Sequence, residues 1–400
     1  MSAPIGPRPV GRRRVITRAV VILALLGGAG LLACGLYNHY AHAYDRIVEG
    51  ARAEKSLVVY STLHDDPELS ELLHAFRRRY PFIKLDNTDS DSASTYRRFT
   101  REVAAGQPSA DFLWGPGMDL QEKLINDGFA QPYESPEMRF LPSWAHWKDL
   151  GYGVTLEPIA FVYNSKYLSP RDTPHTHSGL RDMLLKDPAR FRRRVALYNP
   201  ERSEVGMLLS SQDIRATPDS WDLFDTFGQV NAVSYGTSRQ MLDHILEGDQ
   251  WIGYDAIASY AVELRKTHPE LVVVYPSDYV LVMSRVAFIA AGARHPNAAR
   301  LFLDFLLSRE AQTILREHGM GSIRADVGVP AEQSHLTSVR IQAIRIGPGL
   351  LVDLDNLVRA QFLRRWPQLP VGGEDRTWGQ EIIPPAKVLL PQARTQAESE

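Results

Sequence analysis

Cysteine is nearly absent from this sequence: among 400 residues only Cys34 carries a thiol. One thiol cannot close a disulfide within the chain, so the fold must rest on its core. Also missing are the short patterns of common catalytic and nucleotide sites. There is no G-x-S-x-G, no H-E-x-x-H, no P-loop and no G-x-G-x-x-G, which argues against an enzyme and leaves no cofactor to expect. Charge of one sign is not banked anywhere. Lysine and arginine total 45 against 47 aspartate and glutamate, a net charge of −2. The densest basic runs, Arg77-Arg78-Arg79 and Arg192-Arg193-Arg194, read as solvated helix ends, and nothing calls for nucleic acid. His175 and His177 stand two apart in a Pro/Thr/Ser/Gly-rich stretch that reads as a surface loop and not as a metal site.

What is present begins with an export pattern. Arg8, Arg12, Arg13 and Arg14 precede a run from Ala19 to Leu36 that is apolar or small and free of charge. It ends Leu31-Leu32-Ala33-Cys34-Gly35, which resembles a bacterial lipobox, and that resemblance implies lipidation at Cys34. The run is also longer than a signal core of ~7–15 residues and reaches the ~17–25 that span a bilayer, so an uncleaved signal anchor is the alternative. Either reading tethers residues from about 45 onward to the membrane, outside the cytoplasm. Residues 37–55 read as a polar spacer whose Tyr37, Tyr40 and Tyr44 suit a membrane interface.

Beyond it the chain alternates short apolar runs with amphipathic stretches. Leu57–Tyr60, Phe82–Leu85 and Ala110–Trp114 read as strands, with helices over Pro67–Arg79 and from about Ser90 to Ala105 between them. Residues 271–316 read as two strands, a turn with Asn297 as a helix cap, and a helix with Ala298, Leu301, Phe302, Phe305 and Leu306 on one face. This alternation predicts mostly parallel sheets flanked by helices, and about 350 residues exceed one core and favour two lobes.

The wording of several segments resembles type II periplasmic solute-binding proteins, in the branch that takes ferric iron and phosphorylated solutes. The segments are LVVYSTLHDDPELSELLHAFRRRYPFIKL, PSADFLWGPGMDLQEKLINDGFAQPY, GYGVTLEPIAFVYNSKYL, HPNAARLFLDFLLSREAQ and IRIGPGLLVDLDNLVRAQFLRRW. The likeness runs over about residues 56–367. It implies a two-lobed α/β type II fold of mixed, mostly parallel sheets, preceded by an apolar helix. Its expected parts are a signal or anchor at 1–36, lobe one from 56–157 and 285–367, lobe two at 158–284, and a loose tail at 368–400. It further implies a component of an ABC importer that hands a small solute to a membrane permease. Sensing for a membrane histidine kinase is the rival role, and with about 18 residues ahead of the apolar run its output would lie in a partner.

In open α/β sheets ligands sit beyond the carboxyl ends of strands. The expected contacts are therefore Ser61, Thr62, His64, Ser90, Ser92 and Trp114 from lobe one, and Ser203, Ser234, Thr237, Tyr254, Asp255 and Tyr260 from lobe two. Hydroxyls and helix N-termini suit an anion such as phosphate or carboxylate. Gly253-Tyr254-Asp255 followed by Ser259-Tyr260 resembles the sugar-phosphate-like members of the family, and that resemblance implies an anionic organic solute such as a phosphorylated sugar, with Asp255 accepting from its hydroxyls. The resemblance also implies a ferric alternative through His64, Tyr254 and Tyr260, although the adjacent tyrosine pair of iron-binding relatives is missing. Arg285, inside a strand pattern, reads as an inter-lobe ion pair.

Overall fold

The structure is a computed structural model, and it describes residues 44–63, 67–329, 336 and 339–372. The export segment, Cys34 and His64 lie outside the described residues. The chain opens with helix α1 over 44–54, then β1 (Ser56–Ser61), α2 (Pro67–Arg79), β2 (Lys84–Asp89), α3 (Ser92–Ala104), β3 (Phe112–Gly115), α4 (Met118–Asn126), β4 (His146–Trp147) and β5 (Gly151–Gly153). The second lobe follows with β6 (Glu157–Asn164), α5 (His177–Lys186), α6 (Pro188–Phe191), β7 (Val195–Tyr198), α7 (Glu204–Ala216), α8 (Ser220–Gln229), β8 (Val233–Tyr235), α9 (Ser238–Glu247), β9 (Ile252–Ile257), α10 (Ala258–Arg265), β10 (Leu271–Val274) and β11 (Val280–Met283). Then come β12 (Val286–Ile289), α11 (Pro296–Leu307), α12 (Arg309–Glu317), β13 (Ile341–Ala343), a 3-10 strap (Pro348–Leu354) and α13 (Asn356–Arg365).

One sheet runs β2-β1-β3-β12-β5-β4 and the other β13-β11-β6-β9-β7-β8, with β10 also pairing β6. The expected mixed, mostly parallel sheets are mixed, but parallel pairs do not dominate them. β1, β2 and β3 pair in parallel, as do β7, β8 and β9, but the strands beside the lobe crossings, β12 and β6, pair antiparallel. A chain that crosses to the other lobe and returns re-enters its sheet running backwards, and that reversal produces the mixture.

The two crossings lie side by side. Val154 donates to the Arg285 carbonyl at 3.0 Å, and the Arg285 N–H donates to Thr155 Oγ1 at 2.8 Å. Ser284 Oγ donates to the Thr155 carbonyl at 2.6 Å. These bonds zip the hinge shut with no water needed to satisfy its backbone.

Four boundaries differ from expectation. Part of the stretch read as a spacer is α1, packed on lobe one: Ala51 is buried in its core, Tyr44 bonds the Tyr80 hydroxyl at 2.8 Å, and Glu54 accepts from Ala298 at 2.8 Å. Tyr44 therefore faces protein and not a membrane. Asn297 does not cap α11, since His295 holds that position and Asn297 donates to Glu54 at 2.7 Å. Residues 285–367 do not all return to lobe one, because β13 joins β11 and α13 buries Phe362 and Trp366 in the lobe-two core. Nor is the whole segment from 368 loose: Ser234 donates its N–H to the Pro370 carbonyl at 2.8 Å and Gly372 donates to Ser234 at 2.9 Å, extending the β8 edge.

Candidate functional site

The carboxyl ends of β1, β2 and β3 bring three loops of lobe one together. Ser90 N–H donates to the Ser61 carbonyl at 3.1 Å, and Asp91 caps α3 by accepting from Ser94 at 2.8 Å. Gly115 and Gly117 keep these loops close. A Cβ on Gly115 would lie 3.1 Å from Thr62 Cγ2, and one on Gly117 would lie 2.8 Å from Ser92 Cβ. Thr62, Ser92 and the start of α4 thus form one patch.

Lobe two offers the matching strand ends. After β7, Asn199 accepts from Glu201 at 2.9 Å, and Ser203 caps α7 through Gly206 at 3.2 Å. After β8, Thr237 caps α9 through Gln240 at 3.2 Å, and Ser238 bonds the buried Tyr198 hydroxyl. After β9, Ser259 donates to Glu157 Oε2 at 2.9 Å.

Arg285 joins the two walls. Its side chain and that of Glu157 are both 0% exposed and pair at 3.0 Å. The guanidinium also donates to Thr62 Oγ1 of lobe one at 3.1 Å and to the Tyr260 hydroxyl of lobe two at 3.0 Å. Burial works against its charge, but Glu157 and Tyr260 outweigh that and hold its pKa above the ordinary value. The inter-lobe role expected of Arg285 is met by bonds to both lobes.

α4 begins after Gly117 and α10 after Ile257, and neither of those residues supplies a side-chain cap, although in α4 Leu120 donates to the Asp119 carboxylate at 2.9 Å and Met118 to the Pro116 carbonyl at 2.8 Å. The first N–H groups of a helix lack intrahelical partners, and the helix dipole makes such ends attractive to negative charge. Acids stand nearby too. Asp119, in the first turn of α4, is fully buried with its pKa pushed up to about 7, by burial first and then by Glu204 and Asp353. Glu204, the first residue of α7, is also raised, chiefly by burial.

Several expected contacts are placed elsewhere, and those readings are corrected. Trp114 lies in the lobe-one core with Phe112 and Phe302. Ser61 is fully buried and turned to the Leu63 carbonyl at 3.3 Å. Ser234 Oγ is used by Asn199 at 3.2 Å and the Pro370 carbonyl at 3.2 Å. Tyr254 stacks on Phe161 with ring centroids 5.6 Å apart and donates to Asp213 Oδ2 at 2.6 Å, inside lobe two. Asp255 also bonds Asp213, from a backbone φ of 56°, so both carboxyl groups face the core. His177 is not in a surface loop: it is buried, pairs with Asp278 at 3.0 Å and stacks on Tyr279 at 4.0 Å. Thr62, Ser90, Ser92, Ser203, Thr237 and Tyr260 remain at the facing strand ends. The sequence reading missed Glu157, Asp119 and Glu204.

The Asp213–Asp255 pair has a pH consequence. Tyr254 and Tyr279 both donate to Asp213, at 2.6 and 2.8 Å, which leaves Asp255 to supply the proton between the carboxyls. Burial, then the neighbouring Asp213 charge, raises the Asp255 pKa well above the ordinary value. A raised carboxyl stabilises the fold in full below its unfolded pKa, and that contribution falls as pH climbs toward the folded one. Asp255→Asn keeps a donor without titrating. The stability difference between variant and wild type should therefore shift in the variant's favour from pH 5 to pH 8, by up to roughly 1.4 kcal/mol per unit, in urea unfolding at each pH. A difference that does not move with pH would mean the pair shares no proton.

Comparison with known proteins agrees with this architecture. Residues 57–321 match the family described as bacterial extracellular solute-binding protein. The substrate-binding protein of an ABC transporter from Agrobacterium tumefaciens is 32% identical, covering 78% of this chain and 93% of that one, with a TM-score of 0.72. AfuA from Actinobacillus pleuropneumoniae, with fructose-6-phosphate bound, is 18% identical over 78% and 99% of the two chains, with a TM-score of 0.65. FutA from Trichodesmium, in complex with iron and citrate, is 16% identical over 78% and 100%, with a TM-score of 0.61. Two lobes of mixed α/β structure around a hinge define the type II periplasmic-binding class. The chain belongs to the bacterial extracellular solute-binding proteins, non-enzymatic substrate-binding components of ABC transporters.

Proposed function

We propose that this protein works outside the cytoplasm, tethered to the membrane through its N-terminal segment, and traps a small anionic organic solute for an ABC permease. A phosphorylated sugar or a related compound is the solute class we favour. The observation that carries this reading is the set of strand-end hydroxyls from both lobes that meets at the hinge, where Arg285 bonds Thr62 of lobe one and Tyr260 of lobe two. An anion there would take hydroxyl donors from both lobes and N–H donors from the α10 start, and hinge closure would exclude water around it. Thr62, Ser90, Ser92, Ser203, Thr237 and Tyr260 would contribute hydroxyls around it. The fructose-6-phosphate held by AfuA, on the same fold, fits this reading.

Ferric iron is the weaker alternative. The Tyr254 hydroxyl is committed to Asp213 inside the core and the Tyr260 hydroxyl to Arg285. Among the described residues, a group of His and carboxylate side chains close enough to share an ion is formed by His244, Glu247 and Asp249, at the end of α9 away from its cleft-side start.

Titration calorimetry of the full chain with fructose-6-phosphate and, separately, ferric citrate tests this reading. Binding of the sugar phosphate at micromolar or better affinity, with ferric ion not retained after dialysis against citrate, is expected. Stoichiometric iron retention with no response to sugar phosphates would overturn it.

A further inference from the structure

Asp119 has an unusual position for a carboxylate. It is 0% exposed, one oxygen accepts from Leu120 at 2.9 Å, and Oδ2 has no partner among the described residues. A buried carboxylate oxygen left this way carries a desolvation penalty that something must offset. α4 packs against α7 across the lobe boundary, and Glu204 at the α7 start is near enough to push the Asp119 carboxyl up further. The two acids therefore stand on packed helices of opposite lobes, each in the first turn of its helix.

The cations and donors around them have other bonds. Asp353, the further acid acting on Asp119, is held by Ser211 at 2.8 Å and Arg215 at 2.6 Å. Arg97, from α3, donates to Ser94 Oγ at 3.1 Å, and Arg359, from α13, donates to the Pro200 carbonyl at 3.1 Å. Asp91, also near Glu204, is occupied with capping α3. Glu122, one turn along α4, is buried without a partner too, but the charge acting on it is Lys148 of its own lobe. Asp119 and Glu204 belong to opposite lobes, on helices α4 and α7 that pack together.

We infer that Asp119 and Glu204 together bind hydrogen-bond-donating groups of the trapped solute, so that the solute carries hydroxyl or ammonium donors beside its anion. The inference rests on the anionic-solute reading above and narrows it. One end of the cleft would take the anion on hydroxyl and helix N–H groups. The acid pair would then exclude anions that bring no donor, because closing over such a solute leaves Asp119 Oδ2 unpaired.

The test is titration calorimetry of the full chain with three probes: fructose-6-phosphate, glucosamine-6-phosphate and methyl phosphate. Wild type should bind at least one sugar phosphate, and methyl phosphate about a hundredfold more weakly or worse, as expected when a buried acceptor goes unpaired. Asp119→Asn, which keeps the shape, should weaken the sugar phosphate by about tenfold or more, the effect of losing a hydrogen bond to a charged group, and so narrow its preference over methyl phosphate. Glu204→Gln is the second variant, should the first fold poorly, and predicts the same pattern. Tighter binding of glucosamine-6-phosphate would identify ammonium as the preferred donor, and tighter binding of fructose-6-phosphate would identify hydroxyl. If wild type binds sugar phosphates but neither variant changes their preference over methyl phosphate, the acid pair does not read the donor and this inference fails alone. If wild type binds no phosphate, the anionic-solute reading fails and the inference falls with it.

Discussion

Arg285→Met destabilises the protein by about 3–5 kcal/mol, because removing one partner of a buried ion pair leaves the other charge uncompensated. Glu157 would be that charge: it is 0% exposed and pairs with Arg285 at 3.0 Å. Thr62 and Tyr260 would lose their donor in the same step. The double replacement Glu157→Gln with Arg285→Met should recover much of the loss, since a neutral pair has no charge to bury. Urea unfolding of the four proteins reads this cycle. A double replacement whose cost is the sum of the two single costs would mean that the pair is not coupled, and that the hinge is held by its backbone bonds instead.

The second large effect is expected at Gly321. Its φ is 63°, and a Cβ there would lie 2.2 Å from the Leu156 carbonyl oxygen, on the first crossing strand. Both atoms in that clash are tied to backbone, since Leu156 also donates to the Met320 carbonyl at 3.1 Å. Gly321→Ala should cost on the order of 3 kcal/mol, from left-handed strain and forced displacement of the hinge together. Two controls divide that sum. Gly328 has φ of 77° with nothing within 4 Å of a Cβ, so its alanine variant carries the strain alone. Gly292 has neither feature and should tolerate alanine with little change. Gly321→Ala no more costly than Gly328→Ala would show that the crossing strand yields freely.

Much of lobe one was legible because its signals are local. A short β-branched run, a proline at a helix start and a glycine after a strand act within a few residues, and α2 begins at Pro67 as its proline predicts. The lobe-two contacts were harder, for a geometric reason. β9 is irregular where it pairs with β6, the register shifting between Ala160 and Val162, and Asp255 takes a positive φ there. A bulge of this kind breaks the alternation by which faces are read, so a reading of Tyr254 and Asp255 from their order in the chain mistakes core for cleft. Glu157 could have been found: it is the one charge in the apolar run Glu157–Asn164, and Arg285 is the one charge near the other crossing. Opposite charges in two buried strands imply one another. No local signal marks Asp119 and Glu204, since their meeting depends on how the lobes close.

Native mass spectrometry of the full chain extracted from bacterial membranes, with iron assayed on the same sample, tests the central claim most directly. An organic solute of a few hundred daltons, phosphorus-bearing and displaced by an excess of sugar phosphate, is the predicted result, with iron well below one per chain. One firmly held iron per chain and no organic mass would contradict it, and would require tyrosines now bonded to Asp213 and Arg285 to be released for the metal.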